Sequence, residues 1–137
     1  MIQINYLAVL AAALVNLAAG SLWFGPLFGR QWAEMAGVRM EGTNAPGLAG
    51  FYLLLFIGAL VMAYVFDHFI IFAAAYTMSQ GIAAGLQGGL YSWLGFVAPV
   101  TLATSLPERK PAGYWALINV YWLAVLLLNG MLLAVWR

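Results

Sequence analysis

Of the 137 residues, 66% are hydrophobic and 7% charged, with a formal net charge of +1, so the chain carries more apolar surface than a water-soluble domain of this length can bury. The few Lys and Arg are not clustered, which argues against nucleic acid as a partner. Cysteine is absent, which removes disulfides and thiolate metal sites.

Composition and length predict a single all-α transmembrane domain over residues 1–137, an integral membrane four-helix bundle embedded in the lipid bilayer. Its spans are expected at about residues 5–24, 48–67, 79–104 and 112–136, with a short interfacial helix between helices 1 and 2.

The first apolar run, residues 5–22, contains Ala18-Ala19-Gly20, yet no basic side chain precedes it in residues 1–5. A secretory signal carries a positive leading segment and a shorter apolar core, so a retained first helix is expected. Ala8, Ala12, Asn16 and Gly20 form an i, i+4 ladder of small or polar groups along it. Asn16 lies deep in the span and is expected to hydrogen-bond another helix.

Pro26, with Gly25 and Gly29, breaks this helix. Phe28, Trp32 and Met35 then recur at helical spacing, and Arg30 and Glu34 are an i, i+4 pair, which predicts a short helix lying at the membrane surface. Trp23, Phe24, Phe28 and Trp32 form an aromatic belt there. Residues 42–47 read as a turn.

The second span starts near Leu48 and is apolar to Phe66, with Gly50, Gly58, Ala59 and Ala63 as its small residues. Asp67 and His68 interrupt it. They read as an interfacial titratable pair, because two adjacent ionisable groups cost least at the headgroup boundary. Residues 69–76 are apolar but too short to cross a bilayer, so they are expected to lie along the interface before helix 3.

Residues 80–98 are the most patterned stretch of the chain. At ~100° per residue, Gln80, Ala84, Gln87, Tyr91 and Ala98 share one side, continued by Gly81, Gly85, Gly88, Gly89, Ser92 and Gly95. Ile82, Leu86, Leu90, Trp93, Leu94 and Val97 form the opposite arc. Small residues on one face and large apolar ones on the other suit a membrane helix that packs through its glycines. The expected partners are the ladder of helix 1 and the Ala116-Asn119 face of helix 4. Pro99 predicts a kink, with Thr101 available to satisfy the freed carbonyl near Gly95.

Pro107-Glu108-Arg109-Lys110-Pro111 is a polar loop, followed by the fourth span. Asn119 and Asn129 point about 80° apart on it, so the two amides do not share one partner and one of them is expected to face another subunit, with Asn129 off the main packing face. Arg30, Arg39, Arg109 and Lys110 lie on one side of the bundle, against Arg137 and the terminal amine on the other. That asymmetry predicts both termini outside the cytoplasm in an inner, cytoplasmic membrane. Leu7-Ala8-Val9-Leu10 recurs as Leu123-Ala124-Val125-Leu126, but the flanking Asn and Gly positions do not align, a chance-level match for this composition.

The blocks Asn5-Tyr6-Leu7-Ala8-Val9 and Gly20-Ser21-Leu22-Trp23-Phe24-Gly25-Pro26-Leu27-Phe28-Gly29, with Trp32 beyond, resemble the start of the small bacterial and fungal membrane proteins grouped as domain of unknown function family 1761. Gly89-Leu90-Tyr91-Ser92-Trp93-Leu94-Gly95-Phe96-Val97, the Glu108-Arg109-Lys110 loop and Ile118-Asn119-Val120-Tyr121 are similar to that family's second half. The resemblance implies a short hydrophobic protein with about four spans. It implies no activity and carries no catalytic residue.

The residues themselves point away from catalysis. Asp67 and His68 are the candidate acid or base near a span, and sequence neighbours on a helix diverge by about 100°. There is no second His for a metal and no carboxylate pair within a span, so no enzyme, metal or cofactor is expected. The leading expectation is an accessory protein that self-associates as a homo-oligomer, or joins a larger membrane complex, through small-residue helix faces. The packing residues would be Asn16, Gly20, Gln80, Gly81, Gly85, Gln87, Gly89, Tyr91, Ser92, Asn119 and Asn129. The alternative is a small oligomeric channel or transporter for a neutral solute, lined by Asn16, Gln80, Gln87, Tyr91 and Asn119.

Overall fold

The computed structural model describes residues 3–38 and 47–136. Of the turn expected at residues 42–47 only Gly47 is among them; the rest of it, and Arg39, Glu41 and Arg137, lie outside them. Among the described residues the ordered elements are all helical.

Helix α1 (Tyr6–Leu22) starts at Asn5, whose side-chain oxygen accepts from the backbone N–H groups of Leu7 and Ala8 at 3.0 and 3.3 Å. It ends in a π-type turn, Trp23–Leu27, in which the Phe28 N–H reaches back five residues to the Trp23 carbonyl at 2.9 Å. Pro26 lacks the N–H a regular turn needs, and Gly25 leaves helical geometry altogether (φ −108°, ψ −107°). Helix α2 (Gly29–Ala36) follows and is closed by Gly37 at φ 74°, the left-handed cap that glycine adopts without a Cβ clash.

Helix α3 (Leu48–Thr77) is followed by α4 (Gly81–Ser92), a second π-type turn (Trp93–Val97), α5 (Ala98–Ser105) and α6 (Ala112–Val135). Pro99 stands in the first turn of α5, and the Ala98 N–H bonds the Trp93 carbonyl. The kink expected at Pro99 is therefore spread over a widened turn. Thr101 caps it, donating to the carbonyls of Val97 (2.7 Å) and Ala98 (3.1 Å). Among the described residues three segments are long and apolar enough to cross a membrane: Tyr6–Leu27, Leu48–Thr77 and Ala112–Val135.

Several expectations change. Residues 69–77 do not form a separate interfacial piece, because α3 runs unbroken to Thr77. Nothing between Phe66 and Tyr76 breaks a helix, and Asp67 is turned inward with 3% exposure rather than held at a surface. Beside it, His68 bonds the Tyr64 carbonyl through Nδ1 at 2.9 Å and stands edge-on to the Tyr64 ring. The third helical stretch begins at Gly81 rather than at residue 79, since Met78 (φ 58°) and Gly81 (φ 57°) shape the turn before it. Helix α2 is tied to the start of α6: Lys110 Nζ donates to the Ala36 carbonyl, and Met35 Sδ lies where a Gly113 Cβ would point.

The glycine face of α4 is Ala84, Gly85, Gly88 and Gly89, and α6 is its main partner. At Gly85 and Gly130 the two backbones meet so closely that neither position has space for a Cβ. At Gly89 a Cβ would fall 2.7 Å from the Leu126 carbonyl oxygen. The ladder of α1 packs against α3 and α6 instead of α4. Asn119 and Asn129 are both buried within the chain, so neither amide is turned outward as one of the two was expected to be.

The topology contains a repeat that the amino-acid pattern hides. Two broken helices, each interrupted by a five-residue π-type turn of form Trp-x-Gly-x-x, are each followed by a straight helix, and α1 pairs chiefly with α3 as α4 pairs with α6. Both broken helices run antiparallel to α6. Asn5 lies by Trp136 and Asn16 by Tyr121 on one side, and Gly85 by Gly130 and Ala98 by Trp115 on the other. The two halves therefore run in the same direction, as in parallel repeats.

Candidate functional site

The halves differ in how tightly they close. Where α4 and α6 touch backbone to backbone, α1 and α3 splay apart beyond Asn16 and leave a cavity of about 700 Å³ bounded by α1, the first π-type turn, α3 and α6. The sequence builds this opening from missing side chains. Gly20, Gly25, Gly58 and Ala59 all line it, and a Cβ on Gly58 would meet no atom within 4 Å. Its rim on the α3 side is formed by Phe51, Leu54 and Leu55, all exposed.

The polar centre of the cavity is Asn16, 7% exposed. The Tyr121 hydroxyl sits between two acceptors on this residue, side-chain Oδ1 at 2.8 Å and the backbone carbonyl at 3.2 Å. Gly20 admits the phenol, for a Cβ there would lie 2.9 Å from its oxygen. With Oδ1 fixed by Tyr121, the amide nitrogen is turned to the Met62 sulfur at 4.0 Å, a weak acceptor. Ser21, also on the wall, is already bonded to the Leu17 carbonyl at 2.9 Å. Aromatic rings close the end nearest the break in α1: Phe24 stands edge-on to Tyr121 (5.0 Å) and to Trp32 (5.8 Å), and Trp122 adjoins them. Among the described residues no charged side chain lines the cavity.

The other residues singled out by sequence lie elsewhere. Gln80 and Gly81 border a smaller cavity of about 340 Å³ beside Ala84 and Ala134. Gln87 is exposed and accepts from Ser79 Oγ at 3.0 Å, and Tyr91 is exposed as well. Ser92 is half-buried on the edge of the α4 face. Asn119 is buried between α5 and α6, donating to Thr101 Oγ1 and the Trp115 carbonyl at 2.9 Å each. Asn16, Gln80, Gln87, Tyr91 and Asn119 thus do not line one cavity within the chain: Asn16 borders the larger cavity, Gln80 the smaller, and Gln87, Tyr91 and Asn119 neither.

Tyr121 and Met62 complete the site and neither was singled out for it. A tyrosine in mid-span was the available signal, since its hydroxyl must find a partner there. Met62 offered none.

A family model described as protein of unknown function (DUF1761) matches residues 7–134. No curated protein and no solved structure matches the chain.

Proposed function

This chain belongs to the family described as protein of unknown function, DUF1761, and on that premise we propose that it is a membrane protein that holds a lipid-soluble molecule without transforming it. In this reading the four spans are α1 with its π-type turn, α3, α4 continued through α5, and α6, packed as a bundle in the inner membrane with both termini outside the cytoplasm. The observation that carries it is the cavity of about 700 Å³, apolar-walled and rimmed by exposed side chains of α3. That volume lies within the usual range for a small-molecule site. A cavity so bounded in a membrane helix pair is reached from lipid rather than from water.

A second reading, self-association or entry into a larger complex, is favoured by α3. Its Gly50 and Gly58 have no atom within 4 Å of a Cβ position, so close helix approach is open to them. Native mass spectrometry after mild extraction tests both readings together. The binding role predicts a non-covalent adduct on the wild-type chain that is lost in Gly58→Trp, which fills the cavity. A bare chain in both would remove that role. A dimer mass would support the second reading, and monomer alone would dismiss self-association.

A further inference from the structure

The cavity's polar groups restrict what it can hold. Resting on the binding role proposed above, we infer that the ligand is a neutral, lipid-soluble molecule whose flat head carries a carbonyl-type oxygen, of the quinone or aryl-ketone class. The requirement for an oxygen comes from Asn16. Its Oδ1 and backbone carbonyl both face the Tyr121 hydroxyl, so the side chain cannot turn to offer an acceptor without breaking that contact. What it presents is the amide nitrogen, two N–H donors whose partner is a thioether sulfur at 4.0 Å. A carbonyl oxygen is a far better acceptor than a thioether, and an apolar site that hydrogen-bonds its ligand discriminates against analogues lacking the atom.

Neutrality follows from the walls. Among the described residues lining the cavity there is no Lys, Arg or His to balance an anion and no Asp or Glu to balance a cation. A charge desolvated there would have no counter-charge. The flat head follows from the rings. Phe24, Trp32, Tyr121 and Trp122 line the same cavity as the Asn16 amide, which points across it to Met62, and planar groups pack on such ring faces by offset stacking or edge contacts. The exposed apolar rim of Phe51, Leu54 and Leu55 leaves an exit for a hydrocarbon tail.

The same oxygen chemistry is offered by the ester carbonyl of a glycerolipid, and the test separates the two sources. Apparent affinities are read from the ligand dependence of thermal unfolding of the full chain in detergent micelles. Three probes are compared: a decyl-substituted para-benzoquinone, decylbenzene of similar shape without an acceptor, and dioctanoylglycerol. The expected order places the quinone about tenfold ahead of decylbenzene, the equivalent of one hydrogen bond in an apolar site, and ahead of the glycerolipid. Asn16→Leu should abolish the preference for the quinone while keeping decylbenzene binding, and Tyr121→Phe, which frees the amide to rotate, should reduce it.

Equal affinity for quinone and decylbenzene in the wild-type chain overturns the inference and leaves the binding role standing. Tighter binding of dioctanoylglycerol than of the quinone overturns the flat head. Stabilisation by none of the three probes overturns this inference, while the adduct measurement decides the binding role separately. Because the decisive comparison is between ligands on the wild-type chain, misfolding of either variant does not affect it.

Discussion

At Gly85 a single methyl group would lie inside the backbone of Gly130, and the neighbouring helix has no side chain there that can move aside. Gly85→Ala should therefore lower stability by about 1–3 kcal/mol through overpacking, measured by thermal unfolding in micelles. Leu86→Phe, on the exposed arc one residue along, should stay within about 0.5 kcal/mol of wild type. The buried face of α4 was readable only in part: Ala84, Gly85, Gly88 and Gly89 stand out because small residues at helical spacing serve close packing, but Gln80, Gly81, Gln87, Tyr91 and Gly95, expected on the same side, are exposed, and Trp93 and Val97 of the opposite arc pack against the core. Which helix would meet them was not readable. The Ala8-Ala12-Asn16-Gly20 ladder and the Gly130 neighbourhood both offer small residues, and a helical wheel ranks faces without choosing between them.

Among the elements, the two broken helices show how much a proline announces and how much it leaves open. Pro99 announces a disturbance, but Thr101, expected to satisfy the carbonyl near Gly95, donates instead to its own preceding turn, the carbonyls of Val97 and Ala98. Neither residue announces that the helix widens by one residue, from Trp93 to Val97, because that outcome depends on α6 bringing Trp115 Nε1 to the Ala98 carbonyl at 3.4 Å and Asn119 to Thr101. Thr101→Val removes both the cap and the acceptor for Asn119. The expected cost is about 1–3 kcal/mol, since it leaves a buried amide N–H2 with only the Trp115 carbonyl. Unfolding midpoints of Thr101→Val and Thr101→Ser measure it, and Ser should restore most of the loss. The reading of α3 failed for a related reason. Asp67-His68 looks like a boundary when each residue is weighed by its own solvation cost, but a helix continues wherever the backbone permits and turns one of the two inward.

For the molecule as a whole, the all-helical character follows from composition, while the division into two like-directed halves does not, because the two breaks share only Trp and Gly and differ in backbone: Gly25 leaves helical geometry, whereas Trp93–Val97 stays helical throughout. The backbone contact at Gly85 and Gly130 has a further consequence, for motion. Two main chains already in contact cannot approach further, and sliding them past each other would drive Gly89 into the Leu126 carbonyl. The α4–α6 pair is therefore the stator of the molecule, and any change in cavity volume must come from α1 hinging at Trp23–Leu27 or from α3 swinging against it. Hydrogen exchange should record that division as amide protection highest around Leu126 and Gly130, with earlier opening at residues 23–28 and along the first turns of α3. Uniform protection across all four would show that the two halves breathe together.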